Sequence, residues 1–385
     1  MKLKAAWFLT ASALMALATF SARGGAKLVV AGEAGGAVPV SISGFTGEVA
    51  QVLEFDLFVQ GFRITTPEAA QFQITGSNSG NVVGRVTNPL KETILSKSYT
   101  GASLRRQAHA FADDIVQVTA GRKGIGLTKI AFKVETGANK EIYIADFDGH
   151  DAQAVTRDGV NVAAPTWAGN KFALYYVTYK FGNPVILFHD LASTERRTFA
   201  GFPGSNISPA VSPDGRKVAM ILSKDGATDL YVANADGSDL RRLTKSREDE
   251  SSPCWSPDGQ WICFAAKIDA RRSLCKVSVS GGPVQRIQTA GVANPTEPDW
   301  SPDGNWIIFT AQMGGFEICR VPAQGGTAEL LVSGEDPSWA PNSRTVVFAR
   351  RAGGSRRLSL LDVPTKQTKD IPRISGSNSQ PSWAR

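Results

Sequence analysis

Apolar residues beyond about residue 126 come in short runs bounded by Gly, Pro, Asp and Ser. Residues 261–266 and 273–277 are two such runs; Ser256-Pro257-Asp258-Gly259 stands before them and Gly281-Gly282 after them. Runs of this length between turn residues are typical of β-strands joined by tight hairpins. The pattern predicts a mainly β region.

One phrase, Pro-x-Trp-Ser-Pro-Asp-Gly, recurs through this region in full or looser form. The period is about 44 residues, which suits one four-stranded blade of a β-propeller, and the segments lack the 3.6-residue apolar period of helical repeats. Five of the six copies carry a tryptophan, which we expect to pack between adjacent blades. The copies begin at Pro165, Pro209, Pro253, Pro298, Pro337 and Pro381.

The number of strands predicts a closed ring. Three strands precede the first copy, at residues 129–133, 141–145 and 152–156, and a single strand follows the last anchor, Pro381. Together they complete a sixth blade, which leaves no open sheet edge. The predicted fold class is mainly β with a small α/β domain: a six-bladed β-propeller over residues 126–385, closed by the C-terminal strand.

Residues 27–125 are patterned differently and predict an N-terminal α/β domain. The clearest element is a helix over residues 103–118, with Ser103 as its N-cap and Gly121 just beyond its end. A second helix is predicted at residues 48–59. The predicted strands are residues 38–42, 71–74, 82–86 and 93–99.

The first 26 residues resemble an export signal. Lys2 and Lys4 give a positive start, an apolar run follows at residues 5–17, and small residues come next. The alternative is an uncleaved membrane anchor. We expect a protein exported from the cytoplasm to a compartment in which disulfides are permitted.

The net charge and the cysteine spacing argue against some classes of function. The formal net charge of +7 is scattered along the chain, which argues against a nucleic-acid partner. The four cysteines form no Cys-x-x-Cys motif, so neither zinc nor redox chemistry is indicated. If a disulfide forms, Cys263 and Cys275 on neighbouring predicted strands are the favoured pair; buried free thiols are the alternative.

The sequence offers no catalytic motif. His109, His150 and His189 show no metal-ligand spacing, and no Gly-x-Ser-x-Gly elbow is present. Asp146-x-Asp148-Gly149 resembles part of a calcium loop, but a hairpin turn is the favoured interpretation. We therefore predict no enzyme activity, no cofactor and no metal site.

The loops that lead into the first strand of each blade are rich in polar and acidic residues. We expect them to surround one mouth of the channel and to hold a partner's polar or basic segment, the alternative being ordinary solvated loops. Charge reversal at Glu250 and Glu297 is then expected to weaken binding without unfolding. The predicted partner-binding residues are Ser205, Asn206, Asp249, Glu250, Asn294, Thr296, Glu297 and Glu335.

Three stretches outside the repeat resemble the TolB family, the periplasmic propellers of the Tol–Pal cell-envelope system. They are residues 55–62, residues 95–109 and residues 124–132. The resemblance implies a scaffold that binds a peptidoglycan-associated lipoprotein through the propeller face. It also implies contact with an inner-membrane Tol protein through the mature N-terminus, and a role in outer-membrane integrity and constriction at division.

Two other functions stay open. An exported propeller could bind carbohydrate or cell-wall fragments, which predicts exposed aromatic side chains on the loops, of which the sequence shows few. The third function is an accessory propeller like the one that gates certain serine peptidases.

Overall fold

The computed structural model of the chain describes residues 36–169, 171–246, 248–371 and 373–385. The predicted export signal at residues 1–26 and its membrane-anchor alternative lie outside the described residues, as does the start of the N-terminal domain up to residue 35. No helix in the described part of the chain has the length and apolar character needed to cross a membrane.

The N-terminal domain is a mixed five-stranded sheet covered by two helices in the described residues. Apolar residues of both helices and of the sheet form one core, which includes Leu53, Phe72 and Phe111. The elements are β1 (Val38–Ser43), α1 (Gly47–Phe58), β2 (Phe62–Ile64), β3 (Phe72–Ser77), β4 (Val82–Thr87), β5 (Thr93–Tyr99) and α2 (Leu104–Ala120). The sheet order is β2-β1-β3-β4-β5, with β1 parallel to β2 and β3.

Local signals define helix α2 at both ends. The Ser103 hydroxyl accepts a hydrogen bond from the Arg106 amide at 3.3 Å, and Gly121 ends the helix in the left-handed region with φ 64°. These are the cap residues predicted from the sequence. Strand β2 was not predicted, because three residues are too few to show an alternating pattern.

The rest of the described chain forms six four-stranded antiparallel sheets and one short parallel pair, β21–β25. The strands are β6 (Lys129–Thr136), β7 (Asn139–Asp146), β8 (Gln153–Ala154), β9 (Val162–Trp167), β10 (Ala173–Phe181), β11 (Asn183–Asp190), β12 (Arg196–Ala200), β13 (Asn206–Val211), β14 (Lys217–Leu222), β15 (Asp229–Asn234), β16 (Arg241–Arg242), β17 (Glu250–Trp255), β18 (Trp261–Ile268), β19 (Arg271–Ser278), β20 (Gln285–Ile287), β21 (Thr289–Ala290), β22 (Thr296–Trp300), β23 (Trp306–Gln312), β24 (Phe316–Pro322), β25 (Gly326–Thr327), β26 (Glu329–Ser333), β27 (Glu335–Trp339), β28 (Thr345–Ala352), β29 (Ser355–Asp362), β30 (Gln367–Asp370) and β31 (Ser377–Trp383).

These sheets are the six blades of a propeller, as predicted. From the central strand outward, blade 1 is β31-β6-β7-β8, blade 2 is β9 to β12, blade 3 is β13 to β16, blade 4 is β17 to β20, blade 5 is β22-β23-β24-β26 and blade 6 is β27 to β30. In blade 1 the C-terminal strand β31 pairs antiparallel with β6, with Trp383 opposite Ile130. The predicted closure of the ring is confirmed.

Each repeated tryptophan packs against the preceding blade. Trp255 of blade 4 lies in a cluster with Leu230 and Val232 of blade 3, and its indole N–H donates to the Ala210 carbonyl at 2.9 Å. Trp167 of blade 2 likewise donates to the Ser382 carbonyl of blade 1 at 3.0 Å. At Trp255 and Trp167 the indole therefore adds a polar contact with the preceding blade to the apolar one.

The N-terminal domain docks on the junction where the ring closes. Val59 and Ile125 share a buried cluster with Phe147 and Trp383 of blade 1. The Thr345 hydroxyl of blade 6 donates to the Val59 carbonyl at 3.1 Å. Both ends of the ring are therefore packed against the same domain.

A buried arginine adds an ionic contact to this interface. Arg105 on α2 donates to Glu48 at 3.0 Å and also to Asp148, which lies in the turn between β7 and β8. Arg105 and Asp148 are both buried, so removal of either one would leave the other charge unpaired away from water.

The predicted pairing of Cys263 with Cys275 is wrong. On β18 and β19, Cys263 lies opposite Lys276 and Cys275 lies opposite Phe264, so the register is offset by one residue. Because side chains alternate along a strand, this offset puts the two thiols on opposite faces of the blade. All four cysteines are buried.

Trp383→Ala tests the importance of ring closure. The Trp383 side chain is 3% exposed, stacks on Phe147 with ring centroids 6.2 Å apart, and donates to the Thr128 hydroxyl at 2.9 Å. We expect the variant to lose about 3–5 kcal/mol of unfolding free energy in guanidinium titrations. Phe181→Ala is the control, since that ring is 61% exposed and its loss should change stability by less than about 0.5 kcal/mol. Similar losses in the two variants would contradict a special role for the closing strand.

Candidate partner-binding site

The innermost strand of every blade carries the same backbone irregularity. In each, the residue before the anchoring proline adopts a positive φ, between 48° and 56°, and the pairing with the second strand shifts by one residue. Proline has no N–H to give to the ladder, so a bulge at this position loses no hydrogen bond from the proline itself. We call these residues the bulge ring: Ala164, Ser208, Ser252, Glu297, Asp336 and Gln380.

The bulge ring lines a central cavity of about 470 Å³, to which all six blades contribute. Non-glycine residues in the left-handed region each carry a conformational cost of about 1 kcal/mol or more. Here the same strained conformation occurs six times around one cavity. Each blade therefore contributes one bulge residue to the wall of the cavity. The sheet holds the backbone of that residue in place.

Three consecutive junctions of the bulge ring are joined by hydrogen bonds between blades. The Asp336 amide donates to the Glu297 carboxylate at 3.1 Å, the Gln380 amide donates to Asp336 at 2.9 Å, and the Ala164 amide donates to the Gln380 side chain at 2.9 Å. Each bond satisfies a backbone N–H that the bulge has removed from the sheet ladder. The acidic and amide side chains on this side of the ring thus have fixed positions.

Acidic residues concentrate on the wall formed by blades 5 and 6. Burial and the negative charge of Glu297 raise the pKa of Asp336 well above its usual range. Burial also raises the pKa of Asp299, although its contact with the Arg385 guanidinium opposes the rise. Across the cavity the bulge ring is uncharged, with Ala164, Ser208 and Ser252. We call this side the acidic wall: it contains Glu297, Asp299 and Asp336, and Arg385, which also lines the cavity, pairs with Asp299.

This geometry agrees with the comparison to known proteins. A family model for the TolB beta propeller domain matches residues 116–385, about 70% of the chain. The chain belongs to the TolB β-propeller family. The resemblance inferred from residues 55–62, 95–109 and 124–132 is thereby confirmed.

Individual curated relatives of this TolB-family propeller match only part of the chain. The Tol-Pal system protein TolB of Bordetella pertussis is 30% identical over 186 residues, which are 48% of this chain and 42% of the relative. The match to its Bordetella parapertussis counterpart has the same identity and coverage. The chain thus matches less than half the length of these curated relatives.

Solved structures support the fold. The crystal structure of TolB from Acinetobacter baumannii has a TM-score of 0.83 at 22% identity and covers 90% of this chain and 96% of its own. A chain of the nidogen/laminin complex has a TM-score of 0.55 at 12% identity and covers 67% of this chain and 98% of its own. Proteins of different names therefore share the propeller architecture, and the fold alone does not assign a function.

Three of the predicted binding residues of this TolB-family propeller are buried. Asn206 is fully buried and its side chain bonds to the Phe202 and Pro184 carbonyls. Glu250 accepts bonds from the Leu230 amide at 2.9 Å and the Thr244 hydroxyl at 2.5 Å. Glu335 pairs with Arg356 and, at 3.6 Å, with Arg351. These side chains hold loops together and do not form an exposed surface.

The other five predicted residues are at least partly exposed. Asp249 and Asn294 are exposed, and Ser205, Thr296 and Glu297 are half-buried. Of all eight, which lie in the described part of the chain, Glu297 is the one that lines the central cavity. A role in partner binding stays a prediction for these five residues.

Most of the bulge ring was not predicted from the sequence. Glu297 was among the predicted binding residues, whereas the other five members were not: Ala164, Ser208, Ser252, Asp336 and Gln380. One signal could have found them all, because each bulge residue directly precedes an anchoring proline. The residue before a proline is conformationally restricted, which makes a recurring pre-proline position a candidate for unusual backbone.

Three of the other candidate residues, Asp146, Asp148 and His109, have partners within the protein. The turn that contains Asp146 and Asp148 bonds back on itself, since the Gly149 amide donates to the Asp146 carbonyl at 2.8 Å. Asp146 pairs with Lys129 at 2.6 Å and Asp148 with Arg105. His109 pairs with Asp56 at 2.7 Å. The carboxylates of the turn face protein cations, which agrees with the hairpin interpretation.

The expectation that charge reversal at Glu250 leaves the fold intact is wrong, because the side chain is 4% exposed. Burial raises the pKa of Glu250 to about 7 from an ordinary 4.5. Between these pH values the folded state keeps a proton that the unfolded chain has released, so stability falls as the pH rises. The loss is about 3 kcal/mol, at about 1.4 kcal/mol per pH unit.

Glu250→Gln should remove this pH dependence. The amide oxygen can accept the same two hydrogen bonds and never becomes charged. We expect the variant to match the wild type near pH 4.5 and to exceed it by about 3 kcal/mol at pH 8, measured by guanidinium unfolding. Glu248→Gln, at an exposed site two residues away, is the control and should leave the pH dependence unchanged. Parallel pH profiles for wild type and Glu250→Gln would refute the assignment.

Proposed function

We propose that this protein is a Tol–Pal system scaffold that binds a peptidoglycan-associated lipoprotein at the central cavity of its propeller. The observation that carries the proposal is the acidic wall of that cavity, made by Glu297, Asp299 and Asp336, in a chain that belongs to the TolB β-propeller family. Its curated relatives are named Tol-Pal system proteins, which supports the choice of partner.

The acidic wall suits a positively charged segment of the partner. A lysine or arginine that enters the cavity would stabilise the charged forms of Asp336 and Asp299, whose pKa values are raised in the free protein. Binding would then release protons, so affinity should increase as the pH rises. Hydrogen bonds already fix the positions of Glu297, Asp336 and Gln380, so these side chains lose less conformational entropy when a partner binds.

The same proposal includes the location and organisation of the protein. It is exported to the periplasm, acts without enzymatic activity, and reaches membranes through its partners. Residues 27–125 form the N-terminal domain and residues 126–385 the propeller. An inner-membrane Tol protein contacts the mature N-terminal segment, and the set supports outer-membrane integrity and constriction at division.

A second candidate function is binding of carbohydrate or cell-wall fragments. The observation in its favour is a group of exposed aromatic side chains near the start of blade 3. Tyr179 and Phe181, at the end of β10, are 38% and 61% exposed, and Phe202, in the loop from blade 2 to blade 3, is 36% exposed. Hydrogen bonds from Asn206 to the Pro184 and Phe202 carbonyls hold the start of β11 and this loop side by side. Exposed rings of this kind can stack on sugar faces.

The double variant Glu297→Gln, Asp336→Asn tests the lipoprotein proposal. Both amides keep an oxygen for the hydrogen bonds between blades, so the change removes charge and preserves shape. We expect about a tenfold or greater loss of affinity for the purified lipoprotein of the same organism, measured by calorimetry, and a weaker dependence on salt. The wild type should bind more tightly at pH 8 than at pH 6, and the variant, which keeps Asp299, should show a smaller difference.

Asp239→Asn is the matched control, because this exposed acid lies in the turn between the outer strands β15 and β16 of blade 3 and does not line the cavity. It should leave affinity and pH dependence unchanged. Undiminished binding by the double variant would reject the acidic wall as the site. Binding of soluble peptidoglycan fragments in place of the lipoprotein, lost in Phe181→Ala, would favour the second function.

A further inference from the structure

Blade 4 contains two cysteines that face each other across neighbouring strands. Cys254 on β17 and Cys263 on β18 are direct partners in the antiparallel register. Directly opposite residues lie on the same face of a sheet, and both side chains belong to the same buried cluster. Among the described cysteines, this is the pair that the strand register brings together.

The spacing of these strands suits a disulfide. The Ser256 amide donates to the Trp261 carbonyl at 2.9 Å, so Ser256 and Trp261 form a hydrogen-bonded pair. Cys254 and Cys263 lie two residues further along both strands and therefore occupy the next position of this kind. At such positions the Cα atoms are about 5.5 Å apart, which is within the range that disulfides span.

The equivalent position differs in size from blade to blade. In blade 3 the matching pair is Ala210 and Ala219, and in blade 1 it is Ser382 and Ala131. The pairs in blades 2, 5 and 6 include a larger residue: Thr166–Tyr175, Asp299–Ile308 and Ser338–Val347.

We propose that Cys254 and Cys263 form a disulfide that staples the innermost strand of blade 4 to the second strand. The bond would enclose the Ser256-Pro257-Asp258-Gly259 turn and begin two residues after the bulge residue Ser252. It would hold this part of the cavity wall in register, because a slip of one residue would separate the two sulfurs.

The oxidant is a small disulfide such as oxidised glutathione. The Cys254 thiolate attacks one sulfur of glutathione disulfide and releases one glutathione thiolate. The Cys263 thiolate then attacks the Cys254 sulfur of the mixed disulfide and releases the second. The two protons lost by the cysteines end on the two glutathione thiols, so one disulfide is consumed and one is formed.

Burial determines when this exchange takes place. Cys254 is 7% exposed and Cys263 is fully buried, so the folded blade has no room for a glutathione adduct. Burial and the adjacent Cys263 thiol also raise the pKa of Cys254, which disfavours the reactive thiolate in the folded state. The bond therefore forms while the chain folds, and afterwards the closed blade protects it from reductants.

Thiol counting after refolding tests the proposal. The full chain is unfolded in guanidinium chloride, refolded in reduced and oxidised glutathione, and isolated as folded monomer by gel filtration. It is then denatured and alkylated with a maleimide, and its mass is measured. We expect two free thiols in the wild type, with a peptide map that joins Cys254 to Cys263, and four free thiols after refolding in dithiothreitol.

Variants distinguish this pair from the other cysteines. Cys275→Ala should keep the disulfide and show one free thiol, whereas Cys254→Ala should show three. The double variant Cys254→Ala, Cys263→Ala reproduces the Ala210–Ala219 pair of blade 3 and should fold with two free thiols. A reductant should lower the melting temperature of the oxidised wild type and leave that of the double variant unchanged.

Three results would overturn the proposal. The first is four free thiols in wild type refolded with oxidised glutathione. The second is a disulfide that involves Cys275 or Cys319. The third is a wild type that folds in dithiothreitol and fails to fold in the glutathione mixture, since the staple would then be incompatible with the native blade.

Discussion

Closure of the ring is the constraint on which the rest of this structure depends. Strand β31 completes blade 1 by pairing with β6, and without it the inner edge of β6 would be unpaired. The N-terminal domain packs on that same junction through Val59 and Ile125. The central cavity exists only in the closed ring, since all six blades contribute to its wall.

The candidate site arises from one backbone feature that the repeat copies six times. A proline in each innermost strand places a bulge at the channel, and the residue before it contributes its side chain to the wall. The propeller fold determines where the bulge residues lie, and the type of residue in each blade determines the charge of the cavity wall. Ala164, Ser208 and Ser252 leave one side neutral, whereas Glu297 and Asp336 make the other side acidic.

The features that could be predicted from the sequence were those marked by a repeated motif or by a helix-capping residue. The 44-residue period gave six blades and their closure, and Ser103 and Gly121 marked the ends of helix α2. The site was harder, because loop polarity does not distinguish Asp249, which is exposed, from Glu250, whose bonds to Leu230 and Thr244 draw it inside. The predicted pairing of Cys263 with Cys275 was wrong because the register of β18 and β19 decides which face each residue occupies. The length of the hairpin does not fix that register to within one residue.

The bond between Trp383 and Thr128 has a consequence for kinetics. It joins residues 255 positions apart in the sequence, a separation that makes native contacts slow to form. The same junction is covered by the N-terminal domain, which contacts blade 1 through Arg105 and blade 6 through Val59. Opening the ring therefore requires the N-terminal domain to undock first. The docked domain thus slows the unfolding of the propeller, which is itself slow to assemble.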